Sequence, residues 1–220
     1  DAWYLPDASV SYRTQHDKTV IAVHGLDRRS RKLEYFHDSG RYTLRGQDFD
    51  EIFSTDGKGV AALVPHIELV KLDRLVHRDR RSLTEASVSL ARAQLARRPA
   101  TNPVARYGIG VSGDAAWLAG QGIETFHSYA FATVRQLGAG SATAASYVRW
   151  LEFNDGVARD GSALSAADDL DGISAAAKEL QFAIARAVAR KKAADFSRLL
   201  DSMADHWESA MTSLDRALAV

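Results

Sequence analysis

The sequence predicts an α+β protein: a small antiparallel β-rich part over residues 1–78, followed by a helical bundle over residues 79–220. Three observations carry this. Runs rich in β-branched residues, or alternating apolar with polar, all lie before residue 78. From Ser82 onward the apolar residues recur at helical spacing instead. Gly, Pro and Asn punctuate the chain where these patterns change.

The opening Asp1-Ala2-Trp3-Tyr4-Leu5-Pro6 reads as a strand already under way with no initiator Met before it, so the natural protein is expected to begin upstream. Residues 18–24 are rich in β-branched residues and end at Gly25, as a buried strand does. The polar stretch 26–30 turns the chain, and Lys32 to His37 returns as the second strand of a hairpin. After a turn at Ser39-Gly40, Arg41 to Leu44 is a third strand and Gln47 to Phe53 a short helical turn. A Gly-rich loop through Gly57 and Gly59 leads to His66–Leu72, whose period-two alternation predicts a fourth strand.

In the helical part, Leu83, Ala86, Leu90, Ala93 and Leu95 form one apolar face that Pro99 ends. Asn102-Pro103 is an N-cap followed by Pro at the first helical position, opening a segment that Gly108, Gly110 and Gly113 should weaken or break. Ile123 to Leu137 is a helix expected to bury Phe126, Tyr129, Phe131 and Leu137. Across Gly138 and Gly140 follows a helix from Ser141 to Leu151. A loop over 154–171, with Ser165 as a candidate cap, precedes an Ala-rich helix over 173–191. The last helix, 195–218, carries Phe196, Leu199, Leu200, Met203, Trp207, Met211, Leu214 and Leu218 on one stripe.

Composition narrows the function. Hydrophobic residues at 46% and charged residues at 25% of 220 match a folding globular chain. Lys plus Arg and Asp plus Glu both number 28, so the zero net charge denies the basic field that general nucleic-acid binding needs. The short basic runs at 28–32, 78–81 and 190–192 read as solvated faces or helix ends. Without cysteine there is no disulfide, thiolate metal site or cysteine nucleophile in this chain. No apolar stretch reaches the roughly 18–20 residues of a membrane span and no signal pattern opens the chain, so a cytoplasmic setting is expected.

Of the seven histidines, none shows the spacing of a helical zinc site. His16, His24 and His37 flank the hairpin strands, yet alternation need not bring them to one face, and no metal is expected. His16 precedes a strand and Asp38 ends the neighbouring one, so a carboxylate could orient an imidazole as a general base requires. In the helical part His127, Arg135, Gln136, Lys178, Gln181 and Arg186 interrupt apolar surfaces. They read as mixed-face helices with internal ion pairs or as the lining of a groove for an anionic partner. No nucleotide-binding Gly-rich loop accompanies them, and no cofactor is expected.

At Trp3-Tyr4-Leu5-Pro6-Asp7, Ser11 to His16, Thr19 to Val23, Tyr35 to Asp38 and Phe49-Asp50 the chain resembles a proteobacterial family of unknown function. The resemblance continues through Val70 to Asp73, Arg97-Arg98-Pro99, Asn102-Pro103, Phe126 to Gln136, Leu180-Gln181-Phe182 and Ala185 to Arg190. Members look longer at the N-terminus, where an upstream segment carries an Asn-Cys-Tyr-like motif. The order of Cys helix, aspartate-aromatic-Leu-Pro strand, His and then Asp or Asn is similar to papain-like folds, and to the butirosin-type acyltransferases that draw on carrier proteins. The resemblance implies that residues 1–78 are an incomplete papain-like half, with His16 as general base and Asp38 as its orienting partner. It also implies an acyl carrier protein and the upstream segment as partners, and acyl or aminoacyl transfer from a carrier-protein thioester to an amine in a small-molecule or peptide-modifying pathway. Two other functions are open to the same residues: a non-catalytic helical module that binds a carrier protein or ligase, and a papain-like amide hydrolase.

Overall fold

The structure, a computed structural model, describes residues 1–7, 11–38, 40–53 and 66–219, which fall into two compact units, Asp1–Leu75 and Val76–Val220. In the first, β1 (Ala22–Asp27), β2 (Lys32–His37) and β3 (Gly40–Arg45) form an antiparallel sheet in that order, followed by α1 (Gly46–Phe53). The alternation along β2 sends Leu33, Tyr35 and His37 to one face, where each lies opposite Leu44, Tyr42 and Gly40 of β3. Leu5 and Phe49 close over that face to complete a small core. Gly46, at φ +62°, allows the sharp exit from β3 into α1.

Several expectations for this unit are corrected. The opening residues Ala2–Tyr4 make a 3-10 turn rather than a strand, with Asp1 Oδ1 accepting from the Trp3 N–H at 3.1 Å. β1 starts at Ala22, and Gly25 lies inside it: the register slips between Val23 and Gly25, and the His24 ring rests against Phe36 at 5.8 Å. Residues 66–71 join no strand, and Ile67, Leu69 and Val70, of both parities, are exposed; period-two alternation is stabilised only where a neighbouring strand meets it. Their chain continues into a 3-10 turn, Leu72–Arg74. Ser39 and the loop through Gly57 and Gly59 lie outside the described residues.

The second unit contains α2 (Arg80–Ala96), α3 (Pro103–Ala119), α4 (Ile123–Ala132), α5 (Val134–Phe153), α6 (Ser162–Ala189) and α7 (Ser197–Leu218). α6 is its axis, packed along α5 on one side and α7 on the other. It buries Ala163, Ala166, Ala167, Leu170, Ile173, Ala177, Leu180 and Ile184, a helical stripe in which the small residues bring neighbouring axes close. On α5, a Cβ at Gly138 would lie 3.2 Å from Ala177 Cβ, so glycine is what permits the approach there.

The glycines of α3 do not break it. Asn102 caps the helix by accepting from the Val104 and Ala105 N–H groups, and Gly108 is buried where a Cβ would sit 3.3 Å from Leu200 Cβ. Helix–helix packing outweighs the ~0.5–1 kcal/mol that a mid-helix glycine costs. The break falls instead at Thr133, at φ −122° and ψ −90°, whose Oγ1 donates back to Tyr129 O at 2.7 Å, and α5 runs through Gly138 and Gly140. Phe126 and Ala130 share the inner face of α4; Phe131 lies about 140° around the helix from Phe126 and is 59% exposed, contrary to expectation. Ser165 does not cap α6, which begins at Ser162 after Gly161. On α2 the buried positions are Thr84 and Val88, while Leu83 and Leu90 point outward, so the expected face was rotated.

Candidate active site

Two histidine–aspartate pairs lie in the N-terminal unit, and their surroundings differ. His16 follows a turn over residues 11–14 that is pinned to the opening segment by Arg13 N–H donating to Trp3 O at 3.1 Å. The same turn is held to α1 by Tyr12, whose hydroxyl donates to Asp48 at 3.0 Å, and by an Arg13–Asp48 ion pair. Ala2 N–H donates to Asp17 O at 2.9 Å, closing the loop on its other side. The result seats the His16 ring flat on Trp3, with centroids 4.6 Å apart and planes 8° from parallel, and edge-on to Tyr4.

In that seat His16 Nδ1 donates to Asp1 Oδ2 at 2.7 Å. The Asp1 side chain is 4% exposed and the His16 side chain 50% exposed. A buried carboxylate thus fixes tautomer and ring orientation while Nε2, which has no partner among the described residues, stays reachable from solvent. This is what a proton carrier needs: one nitrogen anchored, the other free.

The second pair is dry. Asp7 and His37 are 2% and 6% exposed, and His37 Nδ1 donates to Asp7 Oδ2 at 2.8 Å. With the proton on Nδ1, Nε2 accepts from the Thr19 hydroxyl at 2.9 Å, so both ring nitrogens are engaged. Tyr42 folds back over Gly40, where any Cβ would collide with its ring at 2.5 Å, and its hydroxyl bonds Asp7. Burial first, then the Asp7 charge, raise the Tyr42 pKa. Tyr35, stacked on Tyr42 at 5.7 Å, is wholly buried, and its hydroxyl has no hydrogen-bond partner among the described residues.

Asp38, expected to orient His16, stands instead beside His37. It occupies the β2–β3 turn at φ +48°, a left-handed conformation that Asp tolerates, and its carboxylate lies within 4.8 Å of ligand atoms of both Asp7 and His37. No hydrogen bond joins His16 to Asp38 among the described residues; Asp1 holds that position.

The residues expected to bind an anionic partner are dispersed over α4, α5 and α6. His127, Arg135, Lys178 and Arg186 are exposed, Gln181 is half-buried, and the Arg135 guanidinium lies over the Phe131 ring at 5.4 Å. Gln136 alone among them lines a groove of about 530 Å³, which opens at the Thr133 break between Tyr107, Leu137, Leu170 and Trp207. The helical unit adds a further pair that the sequence reading passed over, His206 Nδ1 to Asp169 Oδ1 at 2.8 Å, its ring laid across Gly172.

The residues that the sequence reading missed are Asp1, Asp7 and Thr19, and His37 was weighed there only together with His16 and His24. One signal was present: the period-two run Leu33, Tyr35, His37 places His37 on the core face, where a histidine requires partners.

Comparison with known proteins identifies the family. The DUF1839 N-terminal domain matches residues 1–72 and the DUF1839 C-terminal domain residues 80–216, so the chain belongs to the DUF1839 family. No curated protein and no solved structure matches it. Among the described residues, no helix is long and apolar enough to cross a membrane.

Proposed function

We propose that this DUF1839-family chain supplies the proton-transfer half of an acyl-transfer centre, moving an acyl or aminoacyl group from a carrier-protein thioester to an amine. The carrying observation is the His16–Asp1 pair: an imidazole anchored at Nδ1 by a buried carboxylate, stacked on Trp3, with Nε2 open. The likeness to papain-like, butirosin-type acyltransferases supports the same role for His16, with Asp1 in the orienting place expected of Asp38.

Because the 220 residues hold no cysteine, the nucleophilic thiol comes from polypeptide outside them. His16 Nε2 takes the thiol proton and the thiolate adds to the thioester carbonyl. The carrier thiol leaves with the proton from His16, giving an acyl-enzyme. The amine then attacks that thioester, His16 accepts its proton and returns it to the departing thiolate, and an amide is formed.

The test adds the upstream cysteine-bearing segment in trans and follows thioester consumption with and without an amine. Consumption that needs the amine and disappears in His16→Ala supports acyl transfer; consumption in water alone assigns the site to amide or thioester hydrolysis. No consumption, with the carrier protein still bound, leaves the helical unit as a docking module, the reading favoured by the groove at Thr133.

A further inference from the structure

We propose that Asp7, His37 and Asp38 form a binding site for one divalent transition-metal cation, Zn2+ by preference, with Thr19 as the residue that sets the histidine tautomer. The three side chains each offer one ligand atom, and these atoms already lie within 4.8 Å of one another. Two carboxylates and one imidazole are the ligand chemistry of Zn2+ and its row neighbours rather than of Ca2+ or Mg2+, which take oxygen shells.

The Asp7–His37 edge needs little adjustment. His37 Nδ1 and Asp7 Oδ2 are 2.8 Å apart because a proton lies between them. An ion about 2.1 Å from each in tetrahedral coordination sets its ligand atoms about 3.4 Å apart, so the pair opens by a fraction of an ångström. Asp38, the exposed member at the turn, provides the entry side and the third ligand, held alongside His37 by its left-handed backbone.

The proton balance closes within the chain. To free the Nδ1 lone pair, the imidazole proton moves to Nε2, and Thr19 Oγ1, which donates to Nε2 in the metal-free pair, turns to accept from it. A histidine ligand whose other nitrogen donates to a fixed acceptor is the usual outer-shell arrangement of metal sites. A second observation lies on the same sheet face: the Tyr35 hydroxyl, two residues from His37 and stacked on Tyr42, is wholly buried and without a partner among the described residues. Counting histidines in the sequence overlooked this site because two of its three ligands are carboxylates.

The experiment is calorimetric titration of the chelator-treated full chain with ZnCl2, with MgCl2 as comparison and unfolding followed in parallel. The expected result is one Zn2+ per chain, a higher melting temperature with Zn2+ and no effect of Mg2+. Asp38→Asn, at an exposed position that leaves the Asp7–His37 bond intact, should weaken Zn2+ at least tenfold, and Thr19→Val by about ten- to a hundredfold. X-ray absorption of the loaded protein should show an oxygen- and nitrogen-only shell with one imidazole. Absence of one-to-one binding, or binding that Asp38→Asn leaves unchanged, overturns the proposal, the latter because the ion would then be held without the proposed ligand set.

Discussion

His16 and His37 each donate through Nδ1 to an aspartate, at 2.7 and 2.8 Å, yet one pair stands half in water and the other is sealed under the sheet. The difference lies in what surrounds the bond. His37 projects from the core face of β2, and a carboxylate and a threonine hydroxyl occupy both of its ring nitrogens. His16 lies on a loop, supported from below by Trp3, and keeps one nitrogen free. Under the proposed function, identical pair chemistry serves stability where both nitrogens are engaged and reactivity where only one is. The His206–Asp169 pair between α6 and α7, partly exposed, stands between these extremes.

The comparison breaks most directly at the dry pair. His37→Ala strands a buried carboxylate, and chemical unfolding should show the N-terminal unit weakened by about 3–5 kcal/mol. His16→Ala leaves the Asp1 carboxylate its bond from the Trp3 N–H and removes a half-exposed ring, so it should cost less, about 1–3 kcal/mol, while lowering thioester turnover by about 10²–10⁴-fold. Equal stability losses in the two variants would erase the distinction between wet and dry.

At the intermediate pair, Gly172→Ala would place a Cβ 2.7 Å from His206 Nε2 and lift the ring from α6. Differential scanning calorimetry should register a cost of about 1–3 kcal/mol in the helical unit.

The smallest effect comes from a carboxylate held by backbone rather than by imidazole. Asp79 caps α2, and the Ser82 N–H, donating at 2.7 Å, lowers its pKa below the ordinary carboxylate value. Because the folded value is the depressed one, this contribution is complete above the unfolded pKa of about 3.9 and is lost as pH falls through the folded value. Acid titration followed by amide exchange should therefore show α2 fraying below about pH 4, and Asp79→Asn, which can still cap, should flatten that response.

Much of the architecture was legible because it is local. The β2 alternation, the Asn102-Pro103 cap and the α7 stripe each follow from a few neighbouring side chains. The site was less legible because its bonds are long-range: Asp7 and His37 are thirty residues apart and meet only once the sheet has closed, while the sequence reading set Asp38 beside His16. The helix break at Thr133 carries no Gly or Pro, and the glycines taken for breakers at 108 and 138 are contact points that only the opposing helices reveal. Residues 66–71 alternate as a strand would, and a pattern of that kind carries no record of whether a partner exists.

The flat stack of His16 on Trp3 turns the protonation state of one residue into light. An imidazolium against an indole face quenches its emission more strongly than neutral imidazole, so Trp3 should report the charge on His16 directly. Subtracting the spectrum of Trp3→Phe removes the contributions of Trp117, Trp150 and Trp207 and leaves a built-in optical titration of the proposed base, readable without substrate.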